Sequence, residues 1–79
     1  MSSEEKIVAY VIIVVEVGKE YDVLGKLRSF ENVTEARVVY GEYDLVARVE
    51  VESIKKLEKI IMEIRRIPGV LRSATLISA

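Results

Sequence analysis

The stretch with the greatest potential for chemistry is Gly41-Glu42-Tyr43-Asp44, which lies between two strand-like runs. Glycine accepts a positive φ without steric cost, so the chain can reverse here as a tight hairpin. Backbone N–H groups could then bind the carboxylate of a zwitterion, the carboxylate of Asp44 its ammonium, and Tyr43 could form a wall. The same residues also stabilise ordinary hairpin turns, so the pattern leaves a binding turn and a purely structural turn open.

Other kinds of chemistry find little support in the composition. The chain of 79 residues contains no histidine and no cysteine, so the usual nucleophile pairs, transition-metal ligands and disulfides are missing. We therefore predict no catalytic residues, no metal and no cofactor. The net charge of -1 argues against binding nucleic acid or an anionic membrane through excess basic charge.

Apolar periodicity divides the chain into four strands and two helices. A nine-residue apolar run at 7–15 is too short to span a membrane, which takes roughly 20 residues, and no cleavage site follows it. It therefore predicts a strand, and we expect a cytoplasmic protein. The predicted strands are residues 7–15, 33–40, 44–51 and 70–78, and the predicted helices are residues 20–30 and a second that Ser53 begins and Pro68-Gly69 ends.

A shift of 37 residues superimposes the two halves of this pattern. It places apolar residues of the first strand (Val8, Tyr10, Ile12, Val14) on those of the third (Leu45, Ala47, Val49, Val51), and those of the first helix (Val23, Leu24, Leu27, Phe30) on those of the second (Ile60, Ile61, Ile64, Ile67). Two strand–helix–strand units in tandem predict an α+β, ferredoxin-like βαββαβ fold. We expect one domain, 1–79, with a four-stranded antiparallel sheet, two helices on one face, and the first strand beside the third.

The first strand is apolar on both faces, whereas the helices can cover only one. A second copy of the chain is the simplest cover for the other face, which predicts a dimeric α+β barrel. The residues expected at this dimer interface are Ile7, Ala9, Val11, Ile13 and Val15.

Together these features resemble a known family. The Gly41-Glu42-Tyr43-Asp44 turn, a helix ending in Ile67-Pro68-Gly69-Val70, and a last strand with Ser73-x-Thr75 are similar to the effector-binding (RAM) domain of the Lrp/AsnC transcriptional regulators, over residues 7–77. Such regulators usually carry an N-terminal helix-turn-helix domain. Only six residues precede the first strand here, so the chain resembles a stand-alone form without a DNA-binding head.

The resemblance implies a function and a site. In the family, sheets pack face to face in dimers, dimers join into rings of eight or ten chains, and small effectors, often amino acids, bind between dimers near the glycine turn. Carried over to this chain, the ligand contacts would be Gly41, Glu42, Tyr43 and Asp44, with Thr75 nearby. The homodimer would then assemble into an octamer or decamer.

Two functions from different classes follow. The first is an oligomeric amino-acid-sensing module that could co-assemble with full-length Lrp/AsnC regulators and binds no nucleic acid or membrane itself. The alternative is a small dimeric ferredoxin-like enzyme of the α+β barrel kind, such as a monooxygenase or isomerase. The lack of histidine and the hairpin match favour the first. An ACT domain shares the fold and the ligand type, but the Pro-Gly expected after its first strand is missing, and only Gly18 is present.

Overall fold

The structure, a computed structural model, describes residues 6–79 and has the predicted βαββαβ order. Its four strands form one antiparallel sheet in the order β2-β3-β1-β4. The first strand therefore lies centrally beside the third, as predicted, and β2 and β4 are the edges. The elements are β1 (Ile7–Val15), α1 (Glu20–Arg28), β2 (Val33–Val38), β3 (Leu45–Val51), α2 (Ile54–Arg65) and β4 (Val70–Ile77).

The second helix forms where the sequence predicts it. Ser53 is its N-cap, and the Ser53 hydroxyl accepts a hydrogen bond from the backbone N–H of Lys56 at 3.1 Å. That bond satisfies one of the backbone donors that a helix start leaves free. Leu57, Ile60 and Ile64 are buried along one face, so the apolar stripe is the face that packs on the sheet.

The other predicted boundaries shift by a few residues. The first helix ends at Arg28, because the Ser29 hydroxyl donates to the carbonyl of Lys26 at 2.6 Å and its N–H donates to the same carbonyl at 3.1 Å. Strand β2 ends at Val38, and β3 begins one residue later than predicted. Residues 39–44 thus form the whole connection between these two strands.

The core lies between the two helices and one face of the sheet. Leu45, Ala47, Val49 and Val51 of β3 are buried, at 0–1% exposure, and alternate with half-buried residues. They pack with buried residues of α1 and α2 in one cluster. The alternation that predicted β3 therefore separates a helix-covered face from an open face.

The predicted dimer-interface residues are corrected by this packing. Ala9, Val11, Ile13 and Val15 are 0–5% exposed within the single chain and belong to the helix-covered core. Ile7 is half-buried and packs against the same core. None of these five side chains is on the open face, so their assignment to an interface there was wrong.

The cause is a one-residue error in the internal repeat. The core positions of β1 and β3 correspond at an offset of 36 residues, since Ala9 takes the place of Leu45 and Val15 that of Val51. The helices keep the offset of 37, as with Val23 and Ile60. The spacing from the last core position of the strand to the aligned core position of the helix is therefore one residue shorter in the first half (Val15 to Val23) than in the second (Val51 to Ile60). Because side chains alternate along a strand, one residue exchanges its two faces.

Candidate functional site

The predicted binding turn lies at one end of the sheet, where β1 ends and β3 begins. Gly41 has a φ of +127°, which residues with a Cβ rarely adopt. No heavy atom beyond its chain neighbours lies within 4 Å of where its Cβ would be. The backbone N–H of Val39 donates to the carbonyl of Asp44 at 2.9 Å and closes the loop. The glycine therefore leaves the backbone of the turn open to a ligand.

Asp44 fastens this turn to the central strand. Its backbone N–H donates to the carbonyl of Ile13 at 2.8 Å. Its Oδ2 atom accepts a hydrogen bond from the backbone N–H of Val15, also at 2.8 Å. Oδ1 makes no hydrogen bond to any other part of residues 6–79. The carboxylate thus has a structural role, and one of its oxygens remains available to a ligand.

Of the other predicted ligand-binding residues, the fold places Glu42 and Tyr43 on the turn with Asp44 but not Thr75. Glu42 is exposed and Tyr43 half-buried beside it on the turn. Thr75 is half-buried in the edge strand β4, paired with Val11, and strand β1 separates it from β3. Because paired residues share a face, Thr75 is on the helix side of the sheet. A single chain therefore joins Glu42, Tyr43 and Asp44 on the turn but does not place Thr75 beside them.

Exposed apolar side chains lie at the same end of the sheet as the turn, and sequence reasoning missed them. Tyr40 is fully exposed and Val17 is 97% exposed. Tyr21 and Leu71 are also exposed, in the first turn of α1 and the start of β4. These four residues, the turn-end patch, lie in segments that meet where β1 ends, since Val15 pairs with Val70. They could have been noticed as apolar residues outside the periodic core positions.

The open face of the sheet carries a second apolar surface, continuous along β1. Residues paired across the ladders share a face, so Val8, Tyr10, Ile12 and Val14 all point away from the helices. Across the same face, apolar neighbours on β3 and β4 extend this surface: Val46, Ala74 and Leu76.

Two pairs of charged side chains on the open face lie within single strands, and Arg72 of β4 lies on the same face. Arg37 contacts Glu35 on β2, and Arg48 contacts Glu50 on β3. The hydrogen bond from Arg37 holds the pKa of the Glu35 carboxyl below its usual value of 4.5. The hydrogen bond to Glu50, followed by that to Tyr10, raises the pKa of Arg48. Each pair is neutral, so these residues add little net charge to the face.

A polar depression lies at the opposite end of the sheet. It has a volume of about 500 Å³ and is open and mostly polar. Its charged lining mixes lysines with glutamates: Lys6, Lys56, Glu31, Glu50 and Glu52. Within residues 6–79 no three acidic, histidine or cysteine side chains come together as a metal site would require. This groove therefore shows no convergent chemistry.

No helix in the described part of the chain is long and apolar enough to cross a membrane. That finding agrees with the interpretation of the 7–15 run as a strand, which is its structure here.

Comparison with known proteins identifies the domain. The family described as the Lrp/AsnC ligand binding domain matches residues 8–79. The HTH-type transcriptional regulator FL11 of Pyrococcus abyssi is 30% identical over 69 residues, which are 87% of this chain and 46% of FL11. The chain thus spans about half the length of the curated relatives it matches.

Solved structures give the same result. The crystal structure of FFRP-DM1 is 40% identical, with a TM-score of 0.88 over 92% of this chain and 99% of that one. AsnC of E. coli is 25% identical, with a TM-score of 0.88 over 99% of this chain and 56% of that one. The chain therefore belongs to the Lrp/AsnC ligand-binding domain family.

Proposed function

We propose that this chain is an oligomeric sensing module that binds a free amino acid or a similar small effector for Lrp/AsnC-type regulation in the cytoplasm. The observation that carries the proposal is the family match to a ligand-binding domain over residues 8–79. The curated relatives are transcriptional regulators, which favours sensing over the enzyme alternative.

The effector site is the turn at 41–44, completed by a neighbouring copy. On the turn, the backbone around Gly41 is open and Asp44 has one free carboxylate oxygen. Both suit a zwitterion, which needs donors for its carboxylate and an acceptor for its ammonium. The turn alone is too exposed to enclose a ligand, since Tyr40 and Glu42 beside it are exposed.

The turn-end patch supports completion of the site by another copy. These four exposed apolar side chains lie at one end of the domain, and a contact with another copy there would remove their apolar surface from water. The open face of the sheet supplies a second such surface for the dimer. Two different self-contacts on one chain build assemblies larger than a dimer, which fits rings of eight or ten. Thr75 reaches the site only if it comes from a neighbouring chain.

Ligand binding is tested by thermal unfolding of the protein with each common amino acid in turn. A ligand that binds only the folded state at 100 times its Kd stabilises the fold by about 2.7 kcal/mol. We expect one chemical group of amino acids to raise the melting temperature. If none does so at millimolar concentration, the turn is only structural.

Variants of the turn then locate the site by titration calorimetry with the stabilising amino acid. Asp44→Asn keeps an oxygen for the N–H of Val15 but removes the charge, so it should weaken binding roughly 10- to 150-fold, as loss of a charged hydrogen bond predicts. Asp44→Ala loses both roles and should also destabilise the turn. Glu52→Gln, at the opposite end of the sheet, is the control. Equal affinity of Asp44→Asn and wild type would remove Asp44 from the site.

A further inference from the structure

The two edges of the sheet differ in how their backbone is covered. At the β2 edge, the guanidinium of Arg28 donates to the carbonyl of Ala36 at 3.0 Å. Pairing of β2 with β3 is irregular between Val33 and Glu35, and the charged side chains of Glu35 and Arg37 are exposed. Covering groups, irregular pairing and charges are the usual protection of a sheet edge against other strands. The β2 edge is therefore protected.

The β4 edge lacks most of this protection. The backbone N–H of Ser78 donates to the carbonyl of Val8, and bonded residues alternate along an antiparallel ladder. The backbone groups of Ser73, Thr75 and Ile77 therefore point away from β1. Within residues 6–79 no side chain bonds to the backbone of β4, and its pairing with β1 is irregular only near its start. This edge can accept a further strand.

The side of the domain next to the β4 edge is basic. Helix α2 packs against β4 and β3, whereas α1 packs mainly against β2. Residues 54–77, from the start of α2 to the end of β4, contain six lysines and arginines but two glutamates, a net charge of +4 in a chain of net charge -1. None of these six cations forms an ion pair within residues 6–79. A partner of opposite charge therefore suits this side.

Apolar side chains at the end of β4 provide a place for an apolar group of the partner. Ile77 is 54% exposed. It lines a hollow of about 390 Å³ together with Ile54 at the start of α2 and with Ile7 and Val8 of β1. An aliphatic side chain that a further strand placed in this hollow would be removed from water.

We propose that the β4 edge binds an extended acidic segment of another protein, which adds to the sheet as a fifth strand. Its backbone bonds to the free groups of Ser73, Thr75 and Ile77, and one aliphatic side chain enters the hollow. Its carboxylates face Arg72 on the open side of the sheet and, on the helix side, Arg65, which lies about three turns after Ile54 on α2.

Other partners fit these features less well. Pairing of β4 with β4 of a second copy would bring two basic sides together, and the β2 edge of a second copy is protected. A nucleic acid would use the cations but neither the free backbone groups nor the apolar hollow.

The test uses labelled synthetic peptides of eight residues, in which valine alternates with glutamate or with lysine. Fluorescence anisotropy measures their binding to the full chain in about 0.15 M salt, where charges farther apart than about 8 Å are largely screened. The Glu-Val peptide should bind at micromolar to millimolar concentration, and the Lys-Val peptide at least about 10-fold more weakly. A Glu-Val peptide with proline for one central valine lacks a backbone donor and should also lose at least about 10-fold.

Variants of the chain locate the binding edge. Ser73→Pro removes a donor from the free edge but no bond to β1, a place where edge strands tolerate proline, and should weaken Glu-Val binding at least about 10-fold. Arg72→Glu reverses an exposed charge and should weaken it about 3- to 30-fold. Lys26→Glu, the same change on exposed α1, is the control and should change it less than about 2-fold. If thermal melts show that Ser73→Pro does not fold, Arg72→Glu decides.

Amide hydrogen exchange gives a second measurement of the β4 edge. The amides of Ser73, Thr75 and Ile77 should exchange rapidly in the free protein and slowly with the Glu-Val peptide bound. Slow exchange in the free protein would show that a second copy already occupies the edge and would overturn the proposal. Equal binding of the Glu-Val and Lys-Val peptides, no binding at millimolar concentration, or retention of duplex DNA without peptide binding would overturn it as well.

Discussion

Two adjacent isoleucines in β1 provide a test of which sheet face is core and which is free. Ile13 is 0% exposed within the single chain, whereas Ile12, half-buried, faces away from the helices. Ile13→Ala removes buried methylene and methyl groups and leaves a cavity, which typically costs 2–5 kcal/mol. A domain of this size has a free energy of unfolding of roughly 4–12 kcal/mol, so the loss is large.

Ile12→Ala makes the same chemical change on the open face. It should reduce the free energy of unfolding of the monomer by about 1 kcal/mol or less, because the side chain is only partly packed there. In the proposed dimer it should instead raise the dissociation constant. The two variants therefore separate loss of folding from loss of assembly. Ile13→Asp would not separate them, because a charge at that position would enter the core and unfold the protein.

The assay is urea unfolding followed by far-UV circular dichroism at two protein concentrations. Wild-type stability should rise with concentration if folding is coupled to dimerisation. Ile13→Ala should lose stability equally at both concentrations, with a melting temperature on the order of 10–30 °C lower. Equal stability of the two alanine variants at the lower concentration would refute the assignment of the faces.

Four further variants test local features of the fold. Gly69→Ala should destabilise the protein by about 1–2 kcal/mol, because the φ of +101° at Gly69 is strained for alanine and the new Cβ would contact a neighbouring side chain at 3.0 Å. Gly25 lies within α1 with open space around it, so Gly25→Ala should instead stabilise the protein by about 0.5–1 kcal/mol. Thermal melts measure both effects. Ser53→Ala should cost about 0.5–2 kcal/mol through loss of the cap on α2, measured by urea unfolding. Arg37 lowers the pKa of Glu35 in the folded protein below its value of 4.5 in the unfolded chain. The ionised Glu35 therefore stabilises the fold at pH values above 4.5, and this stabilisation is lost as the pH falls through the folded pKa. In Arg37→Ala, NMR titration should show the pKa of Glu35 return towards 4.5.

Sequence patterns predicted the architecture because each half of the chain has an apolar strand-like run, a helix with an apolar stripe and a second strand-like run. The apolar stripe that ends at Ile67 has the spacing of a helix that packs on a core. Gly41 lies between two apolar runs, which indicates a hairpin turn. The face of β1 was not readable in the same way. All nine residues of that strand except Tyr10 and Ala9 are branched and aliphatic, so its composition does not say which side meets the helices.

Which face of β1 meets the helices depends on how β1 pairs with its neighbouring strands, and the sequence of β1 alone does not reveal that pairing. β3 shows its faces through Arg48 and Glu50 on one side and Leu45 and Val49 on the other. Pairing of Ala9 with Val49 transfers that information to β1. The candidate site was limited for a related reason. The turn is local and can be predicted from its own residues, whereas Thr75 lies on β4, across β1 from the turn, and only a second chain could bring it there.

The turn and the open face are linked through β1, which gives the proposed sensor a physical route between binding and assembly. Asp44 holds β1 at Ile13 and at Val15, and the residues that alternate with these, Ile12 and Val14, form the open face. A ligand that binds Asp44 would therefore act on the strand that carries the proposed dimer contact. It can shift the oligomer only by its difference in affinity between the assembled and free states. Asp44→Asn, which keeps the bond to Val15, should bind less ligand while leaving the dimer Kd unchanged in ligand-free protein.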